Sequence, residues 1–341
     1  MVAFRKIGVL TSGGDAPGMN ACIKAVVNKA EKMGIEVIGV RGGYAGLIHG
    51  DLVDLTHRSV DNVIGTSGTM LYSSRCPEFK TEEGMAAAVK TCRANGIDAL
   101  VCIGGDGTFR GATDMTFHGI PAIGLDTSIN TAIHMIDCLR DTCESHERLN
   151  VVEVMGRHCG QIALYSAIAS GAVAVAIPER PFNEAAVLEK IRTLRAAGKR
   201  SMIVVVAEGV TNPDGSPYGE TLAKKIEKET GVESKFARFA HVVRGGSPTM
   251  RDRVIASEMA TKAVDLLLAG KSNVIMSRMA GKVCSFDIAF ALVTDRMYKN
   301  TLKPGDLDKF TPEQIEEMKA ICQKREEEIS NLYQIANEVG Y

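Results

Sequence analysis

The stretch Ala99-Leu-Val-Cys-Ile-Gly-Gly-Asp-Gly-Thr108 constrains the fold of this chain more than any other. Its apolar run ends in two glycines, and an acid, a third glycine and a hydroxyl residue follow. This order is typical of a buried parallel strand that leads through a tight turn into the N-terminus of a helix. A strand-to-helix turn that binds no ligand would show the same short pattern.

Three properties of this turn favour the binding of a phosphate. Glycines let the backbone approach an anion closely. The N–H groups at the start of a helix attract negative charge. Asp106 adds a hard oxygen ligand at the place where Mg²⁺ bound to a phosphate would lie. The turn therefore predicts a phosphate site, with Asp106 as the candidate metal ligand.

A second glycine-rich turn lies near the start of the chain. A strand is expected over Lys6 to Leu10, and the turn Thr11-Ser-Gly-Gly-Asp-Ala-Pro-Gly-Met-Asn20 precedes a helix predicted over Ala21 to Met33. In open parallel sheets, ligands bind beyond the carboxyl ends of the strands. The two turns would lie at the same edge, and this strengthens the phosphate interpretation.

Strands and helices alternate along the whole chain, which is the pattern of an α/β protein with parallel sheets. In the second half, apolar strands are expected over Asn150–Met155, Val173–Ile177 and Met202–Ala207, with a helix over Asn183–Ala197. A length of 341 residues favours two domains. From Thr311 onward, a capping box and helical spacing of apolar residues predict a C-terminal helix.

Composition excludes several classes of protein. The chain has 40 basic and 41 acidic residues, so its charge does not favour nucleic acid or a membrane surface as a partner. Its nine cysteines form no CxxC pair, which fits a reducing cytoplasm. The uncharged run from Ile162 to Pro178 is interrupted by polar residues and just too short to span a bilayer, so we expect a buried helix and then a strand.

Charged residues occur at the ends of the predicted strands of the second half. Arg148 precedes a strand that Arg157 follows, Glu208 follows another, and His241 and Arg244 come after a mixed basic segment. Any one of them alone would be a solvated surface charge. Several at strand ends favour a group that recognises a phosphate.

Five motifs in the same order resemble those of the bacterial-type 6-phosphofructokinases, and the resemblance covers nearly the whole chain. They are Ile7-Gly-Val-Leu-Thr-Ser-Gly-Gly-Asp-Ala-Pro-Gly-Met-Asn20, Ser74-Arg-Cys-Pro-Glu-Phe79, Ile103-Gly-Gly-Asp-Gly-Thr108, Val152-Glu-Val-Met-Gly-Arg157 and Arg244-Gly-Gly-Ser-Pro248. The resemblance implies two Rossmann-like three-layer α/β/α domains with mostly parallel sheets. Residues 1–125 with 248–300 would bind the nucleotide, and 126–247 with 301–341 the sugar phosphate.

The resemblance implies the ATP-dependent phosphorylation of fructose 6-phosphate in glycolysis, with Mg²⁺, by a cytoplasmic homotetramer or dimer. Arg75 and Arg157 would meet the charge of the transition state. The residues implied to line the nucleotide site are Gly14, Arg75, Cys76, Gly105, Asp106, Gly107 and Thr108, with Asp106 near the metal. Those implied to hold the sugar phosphate are Arg148, Met155, Gly156, Arg157, Glu208, Lys235, His241 and Arg244, of which Arg148 and Lys235 would come from a neighbouring subunit.

The chain departs from the family after Pro121-Ala-Ile-Gly-Leu125. Family members carry there a loop that reads P-G/K-T-I-D-N-D, whose first Asp takes the proton from the sugar hydroxyl. Here Leu125 leads directly into Asp126-Thr-Ser-Ile-Asn130, which resembles the start of the next helix in the family. The catalytic loop is therefore missing rather than substituted, and the role of the base is not transferred to Asp126.

Three explanations of the missing loop are open. The natural protein carries a loop that this sequence lacks, the chain is a catalytically silent relative that still binds nucleotide or sugar phosphate, or another residue acts as the base. A pyrophosphate-dependent kinase is disfavoured by Gly107, because pyrophosphate users carry an acid there. Lys235 replaces a family arginine and lacks its bidentate geometry.

Overall fold

The computed structural model describes residues 4–125, 131–279 and 281–340. Within these ranges the chain forms two compact units. The first contains residues 4–125 and 244–310, and the second contains residues 131–243 and 311–340.

The strands and helices are numbered along the chain. The strands are β1 (Lys6–Ser12), β2 (Glu36–Val40), β3 (Leu52–Leu55), β4 (Ala99–Gly104), β5 (Ala122–Leu125), β6 (Leu149–Val154), β7 (Ala174–Ala176), β8 (Met202–Ala207), β9 (Ser234–Arg238), β10 (Val274–Met279) and β11 (Lys282–Asp287). The helices are α1 (Met19–Lys32), α2 (Tyr44–His49), α3 (Glu82–Ala94), α4 (Asp106–Phe117), α5 (Thr131–His146), α6 (Gln161–Ser170), α7 (Glu184–Ala196), α8 (Tyr218–Thr230), α9 (Met250–Leu268), α10 (Ile288–Tyr298) and α11 (Pro312–Val339).

In the described part of the first unit, seven strands form one sheet in the order β11-β10-β5-β4-β1-β2-β3. The strands from β10 to β2 run parallel, and β3 and β11 pair antiparallel at the two edges. Both faces of the centre are buried: Val101 faces the core formed with α1 and α9, and Leu100 faces the core formed with α3 and α4. This burial explains why β4 is apolar throughout.

The second unit, within the same described ranges, has a four-stranded sheet in the order β7-β8-β6-β9, with every pair parallel. Alternate residues of β8 again face opposite cores. Val205 packs with residues of α5, α6 and α11, and Val204 packs with residues of α7 and α8. Helices on both faces of a parallel sheet are the doubly wound arrangement.

The structure confirms an α/β protein with two mostly parallel sheets. It also confirms a helix and then a strand across the uncharged run, as α6 and β7. No helix among the described residues has the length and apolar character needed to cross a membrane. The antiparallel pairing of β3 and β11 was not predicted, because these strands are short or half-exposed and lack an apolar run.

Three predicted bounds need correction. The helix expected after the glycine turn begins at Asp106 and so includes the last residues of that turn. Residues 301–310, assigned to the second unit, belong to the first, because Asp306 receives two hydrogen bonds of 2.7 Å from Arg296 of α10. Residues 244–247 also belong to the first unit.

The buried face of β4 provides a test of this core. Leu100 is fully buried, so Leu100→Ala is expected to lower the free energy of unfolding by about 2–5 kcal/mol, measured by urea denaturation. Lys90→Ala on the exposed face of α3 is the control and should change it by less than about 0.5 kcal/mol. Equal effects of the two substitutions would contradict the assignment of the core.

Candidate active site

The two glycine-rich turns lie side by side at one edge of the first sheet. Ser12 and Gly104 are paired at the carboxyl ends of β1 and β4. The buried hydroxyl of Thr108 donates a hydrogen bond of 3.0 Å to the carbonyl of Ser12. A Cβ atom at Gly104, which has a φ of 157°, would collide with that carbonyl and that hydroxyl, so only glycine fits. Thr108 thus fixes one turn against the other.

Beyond this contact, the start of α4 is open. Gly105 precedes the helix, and Asp106 and Gly107 are exposed in its first turn. A Cβ atom added to Gly105 or Gly107 would meet no atom within 4 Å. The positive end of the helix therefore faces free space, which suits a phosphate group.

The chemistry of Asp106 fits Mg²⁺. Protein sites for Mg²⁺ often supply only one or two carboxylates, and substrate phosphates and water complete the octahedron. Asp106 presents one exposed carboxylate beside the open helix start. Within the described ranges, no three His, Cys, Asp or Glu side chains are grouped as a metal cage. A single exposed carboxylate of this kind suits a metal ion that a phosphate ligand helps to hold.

Hydrogen bonds to the first glycine turn hold the segment that leads to Arg75. The hydroxyl of Thr11 donates to the carbonyl of Tyr72 at 2.7 Å, and the hydroxyl of Ser73 donates to the carbonyl of Gly13. Arg75, two residues further on, is exposed, and Cys76 packs partly against the core of α3 and α4. The segment therefore carries Arg75 close to the glycine edge.

Arg244 also lies at this turn, although the sequence analysis assigned it to the sugar phosphate. A Cβ atom added to Gly14 would overlap the guanidinium group of Arg244. Both residues belong to the first unit. The structure thus brings a cation to the turn for which a phosphate was predicted.

In the second unit, Glu208 at the end of β8 holds the loop that follows β6. Its carboxylate accepts hydrogen bonds from the N–H of Gly156 at 3.0 Å and of Arg157 at 2.7 Å. Arg157 is exposed and has a φ of 51°, a left-handed conformation that costs a residue with a side chain about 1 kcal/mol or more. Met155 precedes this loop and is half-buried. Glu208 therefore fixes the backbone from which the Arg157 side chain projects.

The remaining predicted residues of this unit are divided between the carboxyl ends and the amino ends of its parallel strands. His241 is exposed in the short helix Ala240–Arg244 that follows β9. Arg148 and Lys235 lie at the other edge, where β6 and β9 begin. A six-residue strand is about 20 Å long, so Arg148 and Arg157 are far apart in one chain.

Glu233 forms ion pairs with both Arg148 and Lys235 at the amino ends of these strands. Its carboxylate lies 2.8 Å from Nε of Arg148 and 3.0 Å from Nζ of Lys235. Hydrogen bonding to Arg148 and then to Lys235 lowers the pKa of Glu233 to about 2. The cluster therefore stays ionised at neutral pH.

Sequence reasoning missed Glu179, which follows β7. Its two carboxylate oxygens accept from the N–H of Gly160 at 2.9 and 3.0 Å, and this closes the other end of the loop that carries Arg157. An acid directly after a parallel strand was the signal that could have indicated it. Asp126 and the junction where the family loop is missing lie outside the described residues.

Comparisons with known proteins point to one family. A family model described as phosphofructokinase matches residues 6–267. The ATP-dependent 6-phosphofructokinase of Clostridium botulinum (strain Hall) is 45% identical over 316 residues, 88% of this chain and 97% of that protein. The ATP-dependent 6-phosphofructokinase 1 of Clostridium perfringens is 44% identical over the same shares.

Solved structures show the same fold. The phosphofructokinase of Saccharomyces cerevisiae superposes with a TM-score of 0.80 at 29% identity, over 89% of this chain and 48% of that chain, so this chain spans about half of the yeast protein. A pyrophosphate-dependent phosphofructokinase of Nitrosospira multiformis gives a TM-score of 0.72 at 20% identity, over 84% of each chain. The family match and the clostridial relatives show that this chain belongs to the phosphofructokinase family.

The connection between β5 and α5 bears on the missing loop. In the structure β5 ends at Leu125 and α5 begins at Thr131, which leaves five residues between them. The seven-residue family loop does not fit into that connection.

The Glu233 cluster predicts a pH-dependent contact. Because the pKa of Glu233 is depressed, the contact is intact above its ordinary value of 4.5 and is lost as the pH falls towards about 2. Arg148→Ala should raise the pKa of Glu233 towards 4.5, measured by NMR titration of the side-chain carboxyl carbon. Arg200→Ala, which removes an arginine paired with Glu144 and Glu147 instead, is the control. An unchanged pKa in Arg148→Ala would refute the cluster.

Proposed function

We propose that this protein is an ATP-dependent 6-phosphofructokinase, which transfers the terminal phosphoryl group of ATP to the 1-hydroxyl of fructose 6-phosphate. The observation that carries the proposal is the pair of glycine turns joined by Thr108 and Ser12, with Asp106 and the open helix start beside them. The 45% identity to a clostridial enzyme of that name supports the same activity. The nine cysteines all lie among the described residues and form no disulfide there, which supports a cytoplasmic location.

In this reaction the first unit holds the nucleotide. Asp106 would hold Mg²⁺, which neutralises charge on the phosphates when it is bound. Arg75 would add a positive charge at the transferring phosphoryl group. Phosphoryl transfer depends mainly on positioning and charge neutralisation, so backbone N–H groups, arginine and a metal suit it. The other proposed nucleotide residues are Gly14, Cys76, Gly105, Gly107 and Thr108.

The second unit would bind fructose 6-phosphate, with Arg157 at the transferred group. Glu208 is proposed to contact the sugar, and its hydrogen bonds to the loop support a second role in fixing the loop backbone. The other proposed sugar-phosphate residues of this unit are Met155, Gly156 and His241. Arg244, which lies beside Gly14 in the first unit, is also proposed to contact the sugar phosphate.

Arg148 and Lys235 are proposed to serve the sugar site of a neighbouring subunit. Their position at the sheet edge opposite Arg157 supports this division, because one chain cannot bring both edges to one small ligand. A homotetramer or a homodimer would supply the second edge. Lys235 offers a point charge in place of the planar guanidinium of the family.

The missing loop is the feature that distinguishes the kinase from the main alternative, a catalytically silent subunit that binds nucleotide and sugar phosphate. A general base contributes a factor of about 10²–10⁴ to the rate. The ligand-binding residues are present without the family base, so binding and catalysis are separable. Only five residues lie between β5 and α5, fewer than the seven of the family loop, and this supports loss of a segment rather than substitution of the base.

Restoring the segment tests the proposal. Insertion of the corresponding clostridial segment between Leu125 and Asp126 is expected to raise kcat in a coupled fructose 6-phosphate kinase assay by about 10²–10⁴-fold. The control carries the same insertion with Asn in place of the first loop Asp. Equal rates of the two insertion variants and the original chain would contradict the assigned role of the loop.

Gly107 provides a test of the phosphoryl donor. Because no atom lies within 4 Å of a Cβ at this position, Gly107→Asp would place a carboxylate in the open space at the helix start. We expect the substitution to weaken ATP binding by about 10-fold or more through charge repulsion, measured by calorimetry. Gly107→Ala is the neutral control. Unchanged ATP affinity in Gly107→Asp would contradict the placement of the phosphates.

A further inference from the structure

The five-residue loop Gly156–Gly160, here called the β6–α6 loop, is held at both ends by carboxylates. Glu208 binds the N–H groups of Gly156 and Arg157, and Glu179 binds the N–H of Gly160. The N–H of Cys159 donates back to the carbonyl of Gly156 at 3.0 Å. Arg157 has a left-handed backbone conformation, which persists only where the surrounding contacts fix it.

The outer side of this loop is in contact with the C-terminal helix α11. Arg325 of α11 places Nη2 at 3.5 Å from Sγ of Cys159. The next residue of the helix, Glu326, forms an ion pair with Arg180, which also donates to the hydroxyl of Ser330. Consecutive residues of α11 therefore bind the loop and the segment that supports it.

Arg180 is connected to the loop through Glu179, the residue that precedes it in the chain. Glu179 points inward to the N–H of Gly160, whereas its neighbour Arg180 points to α11. A Cβ atom at Gly160 would overlap Ile177 and come within 2.7 Å of Oε2 of Glu179, so the loop end is closely packed against this segment. A shift of Arg180 would therefore move the carboxylate that closes the loop.

The helix itself is firmly seated on the second unit. Ile329 and Ala336 are buried in the core that α11 shares with α5, α6 and β8. Near its end, a Cβ atom at Gly340 would overlap the carbonyl of Ala172. Arg325 and Glu326 thus project from a fixed support, which is what a group that positions another residue requires.

We propose that Arg325 and Glu326 are positioning residues for the sugar-phosphate site, and that α11 braces the β6–α6 loop so that Arg157 keeps the conformation that meets the phosphorylated substrate. The proposal rests on the proposed function for the role of Arg157. The bracing itself is a property of the second unit and is measurable without substrate.

The first measurement is hydrogen–deuterium exchange of the intact chain. In the double variant Arg325→Ala/Glu326→Ala, the peptide that contains residues 156–160 is expected to exchange about three- to tenfold faster, whereas the peptide that contains β4 is unchanged. Gln334→Ala is the matched control, since Gln334 is exposed on α11 and bonds only its neighbour Glu338 among the contacts described. Unchanged exchange at 156–160 would overturn the proposal whatever the activity.

The second measurement is the binding of fructose 6-phosphate and of ATP by calorimetry. The double variant should bind fructose 6-phosphate about three- to tenfold more weakly and ATP equally well. A general loss of stability would weaken both ligands and would overturn the specific role. Faster exchange with unchanged fructose 6-phosphate affinity would also overturn it. Failure of the unaltered chain to bind fructose 6-phosphate would contradict the proposed function, while the exchange result still decides the bracing.

Exchanging the charges of Arg180 and Glu326 distinguishes the effect of their ion pair from the effect of lost packing. Glu326→Arg should loosen the β6–α6 loop by placing two cations together. The double variant Arg180→Glu/Glu326→Arg should restore slow exchange and most of the affinity, because the pair is formed again with reversed signs. No recovery in the double variant would overturn the assignment of Glu326.

Discussion

The hydrogen bond between the hydroxyl of Thr108 and the carbonyl of Ser12 joins the two turns on which the rest of the first unit depends. It exists because β1 and β4 are parallel neighbours, so that their carboxyl ends meet at one edge. Parallel pairing buries both strands, and each strand is followed by a helix that begins at this end of the sheet. A helix that begins with glycines offers its free N–H groups to an anion. The parallel pairing of β1 and β4 thus supplies both the scaffold and the proposed phosphate site.

The second unit uses the polarity of its sheet in another way. The carboxyl edge holds the β6–α6 loop, Glu208 and Glu179, whereas the amino edge holds Arg148, Glu233 and Lys235. A parallel sheet keeps these two edges about 20 Å apart. Groups at both ends of the strands can act on small ligands only if each end serves a different site, and the proposed oligomer would provide that arrangement.

Much of this architecture was predictable from the sequence. The apolar run at 99–103, the two glycine turns and the strand ends gave the α/β class with parallel sheets, since buried parallel strands have a strong local pattern. The hairpin of β10 and β11 was not predictable, because its residues are only half-buried and do not alternate clearly. The bracing by Arg325 and Glu326 was also hidden, because residues more than 140 positions apart in sequence meet only after the helix has docked.

Intact mass, measured together with a coupled fructose 6-phosphate kinase assay on one sample of the protein, decides whether the missing segment carries the catalytic base. The proposed base lies on a segment that this 36.5 kDa sequence lacks. Active protein is therefore expected to have a mass above 36.5 kDa. Full kinase activity at 36.5 kDa would contradict the role of the segment, and a protein of that mass that binds both ligands without turnover would be a silent relative rather than a kinase.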